Sequence, residues 1–133
     1  MQSKVSNTEK EDLTLTKNEH STRYHSNIQE SYIADTFGGH TTLNSGAARF
    51  SVGDVVLPKA DMLIECKCKM KDTDSFSIKK DWLAKLKEEQ LAARMSSCAL
   101  AFSFDEDCKN NYFIINESLM RYLVEKLTED SEI

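Results

Sequence analysis

The chain is poor in the residues that break or cross-link a backbone. Its 133 residues hold one proline, four glycines, one tryptophan and three histidines, which leaves out collagen-like and low-complexity classes. Four cysteines stand at 66, 68, 98 and 108. Cys66 and Cys68 are too close for an ordinary disulfide and nothing else marks a secreted scaffold, so four reduced thiols are expected. Zinc would want two close pairs or histidines at ligand spacing, whereas His20, His25 and His40 lie upstream at no useful interval. No run approaches the roughly 18 apolar residues of a membrane span, and the N-terminus lacks the charged-then-apolar profile of a signal peptide. A cytoplasmic protein without membrane contact is expected. An excess of positive charge is also missing: 17 basic residues face 22 acidic ones, a net charge of −5. That argues against coating nucleic acid by bulk charge, but not against a local basic patch.

What is present suits one domain, with 40% hydrophobic and 29% charged residues in a length near the commonest domain size. Residues 1–20 are polar without an apolar period and read as a disordered arm. Residues 21–128 read as the domain and 129–133 as an acidic tail.

From Ser21 to Phe37, Tyr24, Ile28, Tyr32, Ile33 and Phe37 recur at helical spacing, and Gly38-Gly39 supplies the stop. His40 to Ser45 reads as a short strand closed by Gly46. Gly53 to Leu57, Pro58 to Asp61 and Met62 to Lys69 read as strand, turn and strand. In the second strand Met62, Ile64, Cys66, Cys68 and Met70 share one face, and Leu63, Glu65, Lys67 and Lys69 the other. Cys66 and Cys68 are then small core residues rather than metal ligands. Ser77 to Arg94 is the clearest helix: Ile78, Trp82, Leu86, Gln90 and Ala93 share a face, while Lys80, Lys87 and Arg94 form a basic stripe. Cys98 to Phe104 reads as a buried strand, Asp105-Glu106-Asp107 as an acidic turn, Tyr112 to Ile115 as a strand, and Leu119 to Leu127 as a final helix. The expected order is α-β-β-β-α-β-β-α.

If Pro58 to Asp61 is the loop of an antiparallel hairpin, Leu57 opposes Met62, Val56 opposes Leu63, Val55 opposes Ile64 and Asp54 opposes Glu65. Opposed side chains lie on one side of the ladder about 5 Å apart, so the two carboxylates repel unless a cation lies between them. A hard divalent cation fits: Mg²⁺, with Mn²⁺ able to substitute, held by Asp54 and Glu65 with the backbone carbonyl of Cys66 as a further ligand. Such an ion polarises a phosphate and acidifies a bound water. Lys67, on the same face as Glu65, can orient that water and stabilise charge building on phosphorus.

Gly53-Asp54, the turn, and Glu65-Cys66-Lys67 together resemble the D…ExK core of the PD-(D/E)xK nuclease superfamily, with Gly53 where a proline is usual. The resemblance implies a restriction-endonuclease-like αβββαβ core, a central mixed sheet flanked by helices, to which a C-terminal strand and helix are added. Residues 21–69 further resemble the Holliday-junction resolvases of archaeal and phage type. Those carry a glutamate in the first helix and a serine shortly before the aspartate, positions matched by Glu30 and Ser45. Ser75 to Leu83 and Ala99 to Phe102 look like the downstream helix and strand of small phage nucleases. By this resemblance Glu30 is a third acidic group at the metal, Ser45 contacts a phosphate or positions water, and Gln90 matches a helix position where glutamine or glutamate is common.

Each residue has an ordinary alternative. Asp54 and Glu65 could be an exposed pair tempered by Lys67 and Lys69, Glu30 a solvated helix residue, Ser45 a turn residue, and Gln90 polar decoration. Trp82 is more often core than a base platform. Lys80, Lys87 and Arg94 could be a solvated face. Between 59 and 94, however, nine basic residues outnumber seven acidic ones, whereas 117–133 holds two basic and five acidic. A DNA-binding face of Lys69, Lys80, Lys87 and Arg94 can therefore coexist with an acidic total.

The expectation is a Mg²⁺-dependent endodeoxyribonuclease selective for branched DNA such as a four-way junction, acting in a bacterial or phage-infected cell. Symmetric nicks across such a junction imply a homodimer. Two alternatives stay open: a nuclease of the same fold acting on duplex or single-stranded DNA in restriction, repair or host-DNA degradation, and a noncatalytic DNA-binding or assembly protein on that scaffold.

Overall fold

The computed structural model describes residues 24–42, 54–69 and 71–131. Helix α1 covers 24–37. It is followed by β1 (His40–Thr41), β2 (Val55–Leu57), β3 (Met62–Lys67), α2 (Lys80–Ala92), β4 (Ser97–Ser103), β5 (Asn111–Ile114) and α3 (Glu117–Ser131). The strands form one five-stranded mixed sheet in the order β1-β2-β3-β4-β5. Only β3 and β4 run parallel, and a parallel pair requires a crossover, which α2 supplies.

The tight turn between β2 and β3 sets the hairpin. The Asp61 amide donates to the Pro58 carbonyl at 3.2 Å, and Asp61 takes a left-handed φ of 53°. Loop length fixes register, so Leu57 pairs with Met62, Val56 with Leu63 and Val55 with Ile64, the register counted from the sequence. On one face, Ile33 and Ala34 of α1 pack on Val55, Leu57, Ile64, Ala99 and Ala101. On the other, Leu86 of α2 packs on Leu63 and Leu100, with Trp82 and Phe102 against them. Leu63 and Ile64 are both buried, because a strand inside a doubly covered sheet loses the apolar/polar alternation of a half-exposed one.

Three helices differ from the sequence expectation. α1 buries Gln29, Ile33 and Ala34, while Tyr24, Tyr32 and Phe37 stay exposed; the aromatic spacing marked the helix but not the side it packs on. α2 stops at Ala92 and Arg94 is left-handed, φ 56°, so Lys80, Lys87 and Arg94 do not share one helical stripe. α3 continues past Leu127 to Ser131 and buries none of its residues.

Gly38, at φ 71°, ends α1. A Cβ on Gly39 would collide with the Val56 carbonyl oxygen and the Leu57 side chain, so this glycine lets the exit of α1 lie directly on β2. No described helix is long and apolar enough to cross a membrane.

Candidate active site

The β2–β3 ladder ends at Val55 and Ile64. One residue earlier, the Asp54 amide donates to the Ile64 carbonyl at 2.9 Å, and its Oδ2 accepts the Cys66 amide at 2.7 Å. The carboxylate replaces a ladder acceptor and is held over the Glu65–Cys66 segment by a charge-assisted bond. Glu30 sits one turn before Ile33 and Ala34, so the packing of α1 turns it inward and leaves it half-buried. Glu30 and Glu65 both lie close enough to Asp54 to feel its charge.

This crowding shows in their acidity. Burial, then the charge of Asp54 and a hydrogen bond to it, then Glu65, push Glu30 from 4.5 up to about 8. Burial and the Asp54 charge push Glu65 to about 8 as well; Lys67 opposes the rise, and Glu89 adds to it. Groups held in this way keep protons near neutral pH that a solvated carboxyl would have lost. Such clusters concentrate at functional sites.

The Lys67 ammonium lies 3.9 Å from Glu65 Oε1 and 4.5 Å from the Trp82 ring centroid. Glu65, Lys67, Trp82, Lys85, Leu86 and Glu89 line a cleft of about 180 Å³. Behind it, the Gln29 amide nitrogen donates to the Lys67 carbonyl and to Asn111 Oδ1, each at 2.9 Å. Gln29 is buried and thereby ties α1, β3 and β5 together at the end of the strand that carries Glu65 and Lys67. Among the described residues its Oε1 is a buried acceptor with no hydrogen-bond partner.

Of the residues singled out in the sequence, Glu30, Asp54, Glu65 and Lys67 come together. Cys66 gives its amide to Asp54, and burial pushes its thiol well up, which suits a core thiol rather than a thiolate ligand. Ser45 lies outside the described residues. Gln90 is a correction: it is buried in α2, donates to the Met95 carbonyl at 2.9 Å and accepts from Lys87 at 3.4 Å. Its place is a separate cleft of about 660 Å³ at the other end of β3 and β4, beside Met62 and Ser97.

The α2 residue that lines the cleft with Glu65 is its neighbour Glu89, since adjacent helix positions point about 100° apart. A signal for it existed, because Trp82, Lys85, Leu86 and Glu89 follow i, i+3, i+4, i+7 spacing. Gln29 was also missed, and a glutamine in a helix gives no hint of full burial.

The expected basic stripe is corrected too. Lys87 lines the distant cleft, Lys80 is exposed at the first turn of α2, and Arg94 lies beyond the end of that helix. Lys69 stays beside the site, its ammonium 5.3 Å from the Phe76 ring. Lys79, 5.8 Å from Trp82, and Lys85 bring further positive charge there.

Among the described residues, no three His, Cys, Asp or Glu side chains are already arranged as a metal-binding group. The donors that do meet, Asp54 with Glu65 and Glu30, are all carboxyl oxygens, the ligand type of hard divalent cations. Comparison with protein families, curated proteins and solved structures finds no match.

Proposed function

We propose that this chain is a metal-dependent DNA endonuclease with a PD-(D/E)xK core, acting on branched DNA in the manner of the Holliday-junction resolvases. One observation carries the reading. Glu30 of α1, Asp54 at the start of β2 and Glu65 of β3 lie close enough to raise one another's proton affinity, and Glu65 lines a cleft with the Lys67 ammonium 3.9 Å away. A fold gains no stability from three half-buried acids so near one another; a cation that neutralises them gives the crowding a purpose. The order α-β-β-β-α-β across one mixed sheet supports the same reading.

Asp54 and Glu65 would hold Mg²⁺ or Mn²⁺, with the Cys66 carbonyl as a third oxygen and Glu30 acting at the ion directly or through water. A bound ion supplies polarisation of the phosphate and a more acidic water. The chain's own groups do the rest. Asp54 is oriented by the Cys66 amide. Lys67 is held between Glu65 and the Trp82 face, where its ammonium can meet a phosphate oxygen and help orient water. Gln29 fixes the backbone from which Lys67 projects. Lys69, Lys79 and Lys85 give phosphates a positive border despite the acidic total. Symmetric cutting of a four-way junction requires two copies of this site related by a two-fold axis, which makes a homodimer part of the proposal.

The test is incubation of the protein with four-way junction, linear duplex and single-stranded DNA, with Mg²⁺ or with chelator. Paired nicks in the junction, lost on chelation, are expected. Equal cutting of plain duplex would assign a nuclease without junction selectivity, and metal-independent binding without cutting would leave only a noncatalytic scaffold.

A further inference from the structure

The sheet carries more aromatic surface beside this site than its core uses. Phe102 stands next to Lys67 in register on β4, and Tyr112 stands next to Phe102 on β5. Register partners share a face, so these side chains form a row across the α2 side of the sheet. At about 4.8 Å per strand the row extends roughly 10 Å from Lys67. The rings of Phe102 and Tyr112 stack, with centroids 5.8 Å apart and planes at 28°. Phe76 lies 5.3 Å from Phe102, and Phe104 meets Phe102 and Tyr112 at 5.4 and 5.7 Å.

An aromatic cluster that served only as core would be covered. Here Tyr112 is 51% exposed, and Phe76, Phe102 and Phe104 are each partly open to water. Lys69 lies over Phe76 at 5.3 Å, and Lys67 continues the row toward Glu65. Stacked, half-open rings bordered by ammonium groups match the two chemical features of an unpaired nucleotide strand, a π-face on each base and a phosphate between bases. Intact duplex offers phosphates and base edges but no free ring faces. Asp105 to Asp107 directly follow Phe104 and put negative charge at that end, which leaves the lysine side as the course for phosphates.

We propose that Phe102 and Tyr112, extended by Phe76 and Phe104, form a stacking platform for unpaired nucleotides of a DNA strand whose backbone passes Lys69 and Lys67 toward the carboxyls. One base per available ring face places about two on the row. The substrate is then DNA with a single-stranded or splayed segment beside the bond to be cut. The purpose of the platform rests on the nuclease reading above, although its geometry does not.

The experiment measures binding of labelled oligo(dT) and of blunt duplex in chelator by fluorescence anisotropy, for the full chain and for Tyr112→Ala, Tyr112→Phe and Phe76→Ala. Mg²⁺-dependent cutting is followed in parallel. Loss of one base stack weakens oligo(dT) binding about tenfold, so Tyr112→Ala and Phe76→Ala should each show that loss. Duplex binding should change less than about twofold, and Tyr112→Phe should keep the parent affinity. Phe76 lies outside the strands, so its variant serves if Tyr112→Ala fails to fold. Unchanged oligo(dT) affinity in the folded variants, or equal loss for both DNA forms, overturns the platform. Cutting by the parent chain together with unchanged oligo(dT) affinity would remove the platform and leave the nuclease. Tyr112-dependent oligo(dT) binding by a chain that cuts nothing would do the reverse.

Discussion

Replacing Glu65 by glutamine should stabilise the metal-free protein at pH 8 and leave it unchanged at pH 5. Glu65 is held at about 8 against an ordinary 4.5, first by burial and then by the charge of Asp54. The folded state therefore binds its proton more tightly than the unfolded state. The contribution to stability is fully present below pH 4.5 and declines as the pH climbs toward 8. A carboxyl so displaced is disfavoured in its charged form by roughly 5 kcal/mol. Water still reaches 23% of the side chain, and Glu30 and Asp54 share the same protons, so about 2 kcal/mol is the fair magnitude. Glutamine has nearly the shape of the protonated acid and carries no charge. Glu65→Gln should thus raise Tm by about 8 °C at pH 8 and hardly at all at pH 5, where Glu65 is already neutral. Thermal or urea unfolding in chelator at both pH values measures this. Mg²⁺ should stabilise the parent protein at pH 8 and the variant much less. An unchanged or lower Tm at pH 8, or an equal gain at pH 5, would refute the crowded-carboxyl argument.

Other consequences are equally open to measurement. Gln29→Leu leaves the Lys67 carbonyl and Asn111 side chain short of a donor and should cost about 1–3 kcal/mol in urea unfolding, with kcat falling more than KM rises. Trp82→Ala removes the ring against which the Lys67 ammonium rests and should slow cutting while shifting DNA affinity by less than about fivefold. Gly39→Ala forces a Cβ onto the Val56 carbonyl, so it should lower stability by more than about 1 kcal/mol with no direct effect on the carboxyls.

The hairpin was legible because a short turn dictates pairing: counting back from Pro58–Asp61 placed Val55 opposite Ile64 and Asp54 near Glu65. The strand–helix–strand alternation after it was legible as well, since α2 carries a long helical period and β4 a dense apolar run. Side-chain direction was less accessible. Tyr24, Tyr32 and Phe37 look like core residues at helical spacing, yet tyrosine and phenylalanine tolerate water at one edge, and the sheet instead receives Gln29, Ile33 and Ala34. That rotation brings Glu30 within reach of the Asp54 charge, a proximity between distant segments that no local pattern encodes. Gln90 stands one position from Glu89, the α2 residue in the cleft with Glu65, and on a helix one position means a different wall of the protein. Arg94 left the stripe because α2 ends before it, at a left-handed residue that periodicity does not register. The apolar period of α3 marked a helix correctly but said nothing about whether that helix packs.

The most direct test is single-turnover cutting of DNA in Mg²⁺ by the parent chain, Asp54→Asn and Glu65→Gln, with DNA binding by each protein measured in Ca²⁺. Cutting by the parent, abolished by chelator and reduced about a hundredfold or more in both variants while binding is retained, is the expected result. Normal cutting by Glu65→Gln, or no Mg²⁺-dependent cutting by the folded parent chain on any DNA form, would contradict the assignment of these carboxyls to a metal-assisted nuclease site.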